Sequence, residues 1–180
     1  DRITAFVEGV TEPGGPDYVT PALRIAVFDN DGTLWAEKPV YFQVLFALDR
    51  IAPMAEADPE VLTSEALEAA AAGDLEGVLA GGKEGLVELI AATHSGLTVA
   101  EFQDEVRDWL ATARHPETGR AYPEMVYQPM LELLAYLRDE GFATYIVSGG
   151  GIDFMRAFAE DVYGIPPAQV IGSSGDAAYE

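Results

Sequence analysis

Residues 24–35 read RIAVFDNDGTLW, and this stretch decides the fold. The apolar run IAVF at 25–28 predicts a short buried strand of a parallel sheet. Two carboxylates, Asp29 and Asp31, follow it at once. Residues two apart on a strand face the same way, so both acids are expected to point into one site. That site would lie at the carboxyl end of the strand, where open parallel sheets bind their ligands.

Two carboxylates that converge in this way repel each other unless a cation lies between them or one keeps a proton. The pair therefore favours either a metal site or an acid/base pair. Gly32 permits a sharp turn, and the hydroxyl of Thr33 can tie the loop. The alternative is purely structural, because Asn-Asp-Gly between two strands is also typical of a β-hairpin.

Two further apolar runs predict strands, ATYIV at 143–147 and QVI at 169–171. A helix is expected between them, at 152–163, because Gly and Pro residues follow it and would stop it. Another helix, at 129–140, begins with Pro and ends before Gly. The order of these elements predicts an α/β fold with a parallel sheet.

The segment 41–115 is typical of helix after helix, without the alternation of a strand. Thr98 and Glu101 have the spacing of a capping box, and Asp58 before Pro59 suits another helix start. The turn-rich segment 113–124 is interpreted as a linker back to the sheet.

Composition limits the possible functions. The formal net charge is −21 and the pI about 4.1, which argues against nucleic-acid binding. Cysteine is absent, so disulfides and thiolate sites are excluded. No apolar run reaches the roughly 20 residues that span a bilayer, and no membrane partner is expected. The N-terminus lacks Met and a signal-peptide pattern, which leaves the localisation open between the cytoplasm and, if a leader was removed, the periplasm or exterior. The oligomeric state is left open as well.

The stretch FDNDGTL resembles the first signature motif of the haloacid dehalogenase (HAD) superfamily, and YIVSGGG at 145–151 resembles the second. The helical insert matches the placement of that superfamily's C1 cap, and phosphoserine-phosphatase-like members are the most similar. The resemblance implies a Rossmann-like α/β core at 1–36 and 122–180, with a lead-in helix at its N-terminus. It also implies an α-helical cap at 37–121, inserted after the first strand.

The resemblance further implies a magnesium-dependent phosphomonoester hydrolase acting on a small phosphorylated metabolite. Asp29 would attack phosphorus and form an aspartyl-phosphate, while Asp31 would act as general acid and base. Mg²⁺ would be held by the Asp29 carboxylate and the Asp31 main-chain carbonyl. The phosphate-binding residues would be Thr33, Ser148 and the N–H of Gly149.

The superfamily also has a third motif with a basic residue, usually Lys, and a late acidic fourth motif. Both lysines of this chain, Lys38 and Lys83, precede Ser148. Arg156 is the only Lys or Arg after Ser148, and we interpret it as a surface residue. The third motif is therefore missing in its usual form.

For the fourth motif the chain offers only Asp176 and Glu180, a poor match by position. We therefore expect the α/β core to be incomplete at its C-terminus and the biological polypeptide to continue. One alternative is a catalytically impaired or fragmentary binding module. Another is a dehalogenase-type hydrolase, against which Asp31 argues, because carbon–halogen cleavage needs no proton donor for an alkoxide. His94 and His115 are interpreted as ordinary helix-end or linker histidines.

Overall fold

The computed structural model of the chain describes residues 2–175. Three parallel strands, β1 (Ile25–Phe28), β2 (Ala143–Gly151) and β3 (Val170–Ser173), form one sheet in the order β1-β2-β3. None of the helices in this described part is long and apolar enough to cross a membrane. The α-helices of the described residues are α1 (Arg2–Thr11), α2 (Phe42–Ala57), α3 (Glu65–Ala71), α4 (Leu75–Ala80), α5 (Gly82–His94), α6 (Val99–Thr112), α7 (Gln128–Asp139), α8 (Ile152–Arg156) and α9 (Ala159–Tyr163).

The chain forms two compact units. Among the described residues, one unit comprises those up to Ala36 together with those from His115 onward, and it contains the sheet. The other is Glu37–Arg114. Residues 115–121 cluster with the first unit, and the division into a core at 1–36 and 122–180 and a cap at 37–121 stays a prediction.

The sheet confirms the predicted α/β class with a Rossmann-like parallel core. Phe28 of β1 pairs in register with Ile146 of β2, and Ile146 pairs with Val170 of β3. Ile146 and Val170 are fully buried. Helices α7 and α8 contact β2, and α8 also contacts β3. The apolar core of this unit therefore includes one face of the sheet.

The opposite face of the sheet is open. Val147 pairs with Ile171, and both are exposed; on β1, Ile25 and Val27 are exposed by 55% and 57%. Successive strand residues alternate between faces, which is why these apolar side chains lie on the face opposite Ile146. Among the described residues, β1 pairs with β2 alone and forms an edge of the sheet.

Two details differ from the sequence-based expectation. β2 continues through Gly151 rather than ending at Val147, with an irregular register against β3 between Val147 and Gly151. The predicted helix 152–163 is two short helices, because Phe158 leaves the helical conformation with φ −135° and ψ −16°. Phe158 is buried and stacks on Trp35, so tertiary packing overrides the local helix preference here.

Two arginines bind main-chain carbonyls within the first unit. Arg24 donates from Nε to the carbonyl of Val19 and from Nη1 to that of Glu140, both at 2.9 Å. Arg138 donates from Nη1 to the carbonyl of Tyr163 at 3.0 Å. These bonds fix the start of β1 and the end of α9 to the C-terminal end of α7.

In the described chain the unit Glu37–Arg114 consists of helices joined by short turns, without a strand, as the sequence predicts. Helices α2, α3, α4 and α5 pack around a buried cluster that includes Val44, Ile51, Leu67 and Leu89. The predicted capping box is present at the start of α6, where the N–H of Glu101 donates to the hydroxyl of Thr98. The predicted start at Asp58 is a single 3-10 turn, Pro59–Val61.

Candidate active site

The turn that follows β1 is organised around the carbonyl of Asn30. This oxygen accepts hydrogen bonds from the main-chain N–H groups of Thr33, Leu34 and Trp35, at 3.2, 2.9 and 3.3 Å. Gly32 adopts φ +69°, a left-handed conformation that glycine tolerates best. The turn does not belong to a β-hairpin, because β1 pairs with β2 in parallel and Trp35 forms a bridge with Val126.

The two predicted catalytic acids lie on this turn. β1 ends at Phe28, so Asp29 and Asp31 lie past the strand, and their positions follow from the turn instead of from strand alternation. Oδ1 of Asp29 accepts a 2.8 Å hydrogen bond from the N–H of Asn30. Oδ1 of Asp31 accepts a 2.8 Å hydrogen bond from Nε1 of Trp35. Asp29 is exposed and Asp31 is half-buried.

Asn30, between the two acids, is bound by a residue that the sequence did not single out. The hydroxyl of Tyr163 donates a 3.0 Å hydrogen bond to Oδ1 of Asn30. Asn30 is only 1% exposed and Tyr163 only 2%. Burial, together with the nearby charge of Asp31, raises the pKa of Tyr163 far above its ordinary value, so the phenol stays a donor. No motif marks Tyr163, and only the fold brings it to the turn.

The predicted phosphate-binding residues of β2 lie next to this turn in the sheet. Phe28 of β1 is opposite Ile146 of β2. The residues that follow them on the two parallel segments, Asp29 on one and Val147 and Ser148 on the other, therefore lie toward the same end of the sheet. The hydroxyl of Ser148 accepts a 3.3 Å hydrogen bond from the N–H of Gly150. The carbonyl of Gly149 accepts one from the Ser173 hydroxyl at 2.9 Å. The parallel pairing of β1 with β2 thus brings Asp29 and Ser148, which are far apart in sequence, to the same end of the sheet.

Arg156, the residue weighed for the third motif, binds main-chain carbonyls. Arg156 donates from Nε to the carbonyl of Pro167 at 3.0 Å and from Nη2 to that of Val170 at 3.3 Å. These contacts attach α8 to the connection that enters β3, which is a structural role. Asp176 and Glu180 lie outside the described residues.

Both histidines have structural partners. Nδ1 of His115, a buried residue, lies within hydrogen-bond distance of the N–H groups of Glu117 and Thr118, which organises the turn at 115–119. Nε2 of His94 lies 3.0 Å from Nε2 of Gln43, and Nδ1 lies 2.9 Å from the hydroxyl of Thr93. Burial lowers the pKa of His94 to about 4, and the charge of Arg50 adds to this effect.

Oxygen atoms of the turn have the chemistry that a small hard cation prefers. A carboxylate has about four lone-pair positions, so the bond at Oδ1 of Asp29 leaves capacity for a cation. Mg²⁺ binds through one or two carboxylates and keeps several waters. Within residues 2–175, no group of three or more His, Asp or Glu side chains has the arrangement of a metal site. The Asp29 carboxylate and the Asp31 carbonyl fit such a cation only with water or substrate oxygens completing its shell.

The acidic turn follows the first strand of a parallel sheet, and open α/β sheets bind their ligands at the carboxyl ends of their strands. The family model of haloacid dehalogenase-like hydrolases matches residues 26–179. The chain therefore belongs to the haloacid dehalogenase-like hydrolase family.

Two solved structures match this chain at low sequence identity. A phosphoserine phosphohydrolase-like protein from Francisella tularensis subsp. tularensis SCHU S4 is 18% identical with a TM-score of 0.45, over 83% of this chain. A conserved functionally unknown protein from Anaerococcus prevotii DSM 20548 is 16% identical with a TM-score of 0.52, over 94% of this chain. The chain spans 58% and 67% of the lengths of these two proteins. No curated protein sequence matches.

Proposed function

We propose that this chain carries the nucleophile, the general acid/base and part of the phosphate site of a magnesium-dependent phosphomonoester hydrolase. Its substrate would be a small phosphorylated metabolite. The observation that supports this best is the placement of Asp29 and Asp31 on the turn directly after β1, at the end of the sheet toward which Ser148 also lies. Membership of the haloacid dehalogenase-like hydrolase family supports the hydrolytic class. The phosphoserine-phosphatase-like branch stays part of this proposal.

The reaction would proceed in two displacements. A carboxylate oxygen of Asp29 attacks phosphorus, the bond from phosphorus to the substrate oxygen breaks, and Asp31 delivers its proton to the leaving alkoxide. Water then attacks the aspartyl-phosphate while Asp31 takes a proton from it, which releases inorganic phosphate and regenerates Asp29. Exposure of the Asp29 carboxylate suits attack on an incoming substrate.

Phosphate contacts would come from both neighbouring segments. The hydroxyl of Ser148, the N–H of Gly149 and the hydroxyl of Thr33 are hydrogen-bond donors for phosphoryl oxygens. The Asp29 carboxylate and Asp31 carbonyl would hold Mg²⁺, which offsets phosphate charge when bound. This matters because the net charge of the chain is −21. No nucleic-acid or membrane partner is part of this proposal.

A second candidate is a binding module of the same fold without efficient catalysis. Two observations favour it: Arg156 binds main-chain carbonyls, and the described residues contain no acidic cluster of three metal ligands. The dehalogenase alternative gains no such support, and Asp31 still argues against it.

The decisive experiment measures hydrolysis of p-nitrophenyl phosphate with Mg²⁺ and with EDTA. We expect activity that needs Mg²⁺, falls to background in Asp29→Asn, and falls by about 10² to 10⁴ in Asp31→Asn, the usual contribution of general acid/base catalysis. Asp161→Asn, an exposed carboxylate on α9, is the matched control and should keep full activity.

The intermediate gives a second readout. A short incubation with substrate followed by acid quenching should leave phosphate attached to Asp29 as an acyl phosphate that hydroxylamine releases. Activity that persists in EDTA and in Asp29→Asn would refute the hydrolase proposal. Phosphate binding without turnover would favour the binding module.

A further inference from the structure

Four aromatic side chains form a continuous cluster next to the acidic turn. Trp35 stacks on Phe158, with ring centroids 4.5 Å apart, and lies 6.4 Å from Phe154. Phe158 in turn makes edge contacts with Phe154 at 5.7 Å and with Tyr163 at 6.0 Å. All four residues are buried. The turn, α8 and α9 therefore share one aromatic core.

Only two members of this cluster carry a polar side-chain atom, and both polar atoms bind the acidic turn. Nε1 of Trp35 donates to Oδ1 of Asp31 at 2.8 Å. The hydroxyl of Tyr163 donates to Oδ1 of Asn30 at 3.0 Å. Two consecutive side chains of the turn are thus each fixed by a donor from the same rigid aromatic unit.

Packing alone does not account for this choice of residues. Phenylalanine would fill an apolar cluster without any polar atom, whereas Trp and Tyr need hydrogen-bond partners when they are buried. The Asn30 amide is itself buried, and an unsatisfied buried amide is costly. The hydrogen bond from the Tyr163 hydroxyl therefore offsets part of the cost of burying the Asn30 side chain between the two acids.

We propose that Trp35 and Tyr163 are positioning residues: through Asp31 and Asn30 they hold the acidic turn in one conformation for catalysis. This inference rests on the proposed function, because that function assigns the chemistry to Asp29 and Asp31. A displacement of a reacting group by about 1 Å can lower the catalytic rate on the order of 10²-fold. A carboxylate that its neighbours hold in the reactive position avoids this loss. Neither aromatic residue touches substrate in this role.

The first test needs no activity. Amide hydrogen exchange followed by NMR reports on the turn through the N–H groups of Leu34 and Trp35, which donate to the Asn30 carbonyl. We expect Tyr163→Phe to speed exchange at these two amides by about tenfold, the effect of losing one buried hydrogen bond. The amide of Ile146, in the buried central strand β2, reports global unfolding and is the internal reference against which the two turn amides are compared in each variant. Tyr136→Phe on α7 is the matched control and should change neither.

The indole provides a spectroscopic signature of the second contact. The chain has two tryptophans, so its spectrum contains two indole N–H signals, and Trp109→Phe identifies that of Trp35. Asp31→Ala should shift the Trp35 indole signal and speed its exchange about tenfold, as expected for a lost buried hydrogen bond. Asp153→Ala is the control and should leave this signal in place. An unchanged Trp35 signal in Asp31→Ala, or unchanged Leu34 exchange in Tyr163→Phe, would overturn the proposal.

Kinetics separates positioning from general destabilisation. With p-nitrophenyl phosphate, Trp35→Phe and Tyr163→Phe should lower kcat about ten- to hundredfold while KM changes less than about threefold. Tyr136→Phe should match the wild type. An equal loss of kcat in Tyr136→Phe, or a loss confined to KM, would count against positioning. If the wild type shows no turnover, the proposed function fails, whereas the exchange rates still decide whether these side chains hold the turn.

Discussion

The hydroxyl of Tyr163 donates a 3.0 Å hydrogen bond to Oδ1 of Asn30, a residue 133 positions earlier in the chain. Both residues are buried, so water does not compete for the bond. Arg138 binds the carbonyl of the same tyrosine from α7. The turn that carries the two acids is therefore connected through side chains to the ends of two helices.

This bond should appear as an energetic coupling. In chemical denaturation, Asn30→Ala and Tyr163→Phe should each lower the free energy of unfolding by about 1–3 kcal/mol. The double variant should lose less than the sum by roughly 0.5–3 kcal/mol, because either change removes the same bond. Asn30→Ala combined with Tyr136→Phe is the control and should be additive. Additivity of Asn30→Ala with Tyr163→Phe would contradict the contact.

Two glycines of neighbouring strands should respond differently to the same change. A Cβ at Gly172 would lie 2.6 Å from the carbonyl oxygen of Gly150 and from Cε of Met155, whereas a Cβ at Gly149 would meet no atom within 4 Å. Gly172→Ala should therefore lower the free energy of unfolding by about 1–3 kcal/mol, a typical cost of overpacking. Gly149→Ala should stay within roughly 0.5 kcal/mol of the wild type. Equal losses of unfolding free energy for the two variants in urea denaturation would show that β3 does not approach β2 this closely.

One face of the sheet is buried and the other is exposed, so we expect the same isosteric change to have different effects on the two faces. Val170 is fully buried, whereas Val147 is 44% exposed. Val170→Thr places a hydroxyl in the apolar core and should lower the free energy of unfolding by about 1–3 kcal/mol. Val147→Thr should change it by less than about 0.5 kcal/mol, since the hydroxyl can reach water. A larger loss in Val147→Thr, measured by urea denaturation, would mean that the open face is covered in solution.

His94 should make the helical unit Glu37–Arg114 sensitive to acid. Its pKa in the folded chain is about 4, below the ordinary 6.5, so the unfolded chain binds the proton more tightly. The stability that neutral His94 contributes to the folded chain is therefore fully present above pH 6.5 and is lost as the pH falls toward about 4. The full effect is on the order of 3 kcal/mol at most, since one pKa unit is about 1.4 kcal/mol.

The measurement compares thermal unfolding of the wild type and His94→Gln by circular dichroism between pH 7 and pH 4. Both proteins carry the same carboxylates, so the difference between their curves isolates the histidine. The variant should lose less stability on acidification. Parallel curves would show that protonation of His94 does not oppose folding.

Much of the fold could be predicted from local pattern. The run IAVF at 25–28 is a strand, and the capping box at Thr98 and Glu101 starts a helix. The α/β class and the helical insert follow from the order of such signals. The turn of Asp29 and Asp31 was also predictable, because Gly32 and its neighbours are typical turn residues.

What the sequence could not supply depends on contacts between distant residues. The break at Phe158 results from its stacking on Trp35, and local sequence there favours a continuous helix. The extension of β2 through Gly151 depends on pairing with Ser173. Tyr163 could not be assigned to the site either, because nothing in its own segment indicates that its hydroxyl reaches Asn30.

The bridge between Trp35 and Val126 has a consequence for modularity. The N–H of Ala36, the last residue before the helical unit, donates to the carbonyl of Met125 at 3.0 Å, and this contact joins the two segments of the α/β unit that flank the insert. A surface connection whose ends are already joined tolerates inserts of very different size, since closure entropy rises only with the logarithm of length. We therefore expect this junction to accept helical inserts of different length without a change in the conformation of the acidic turn.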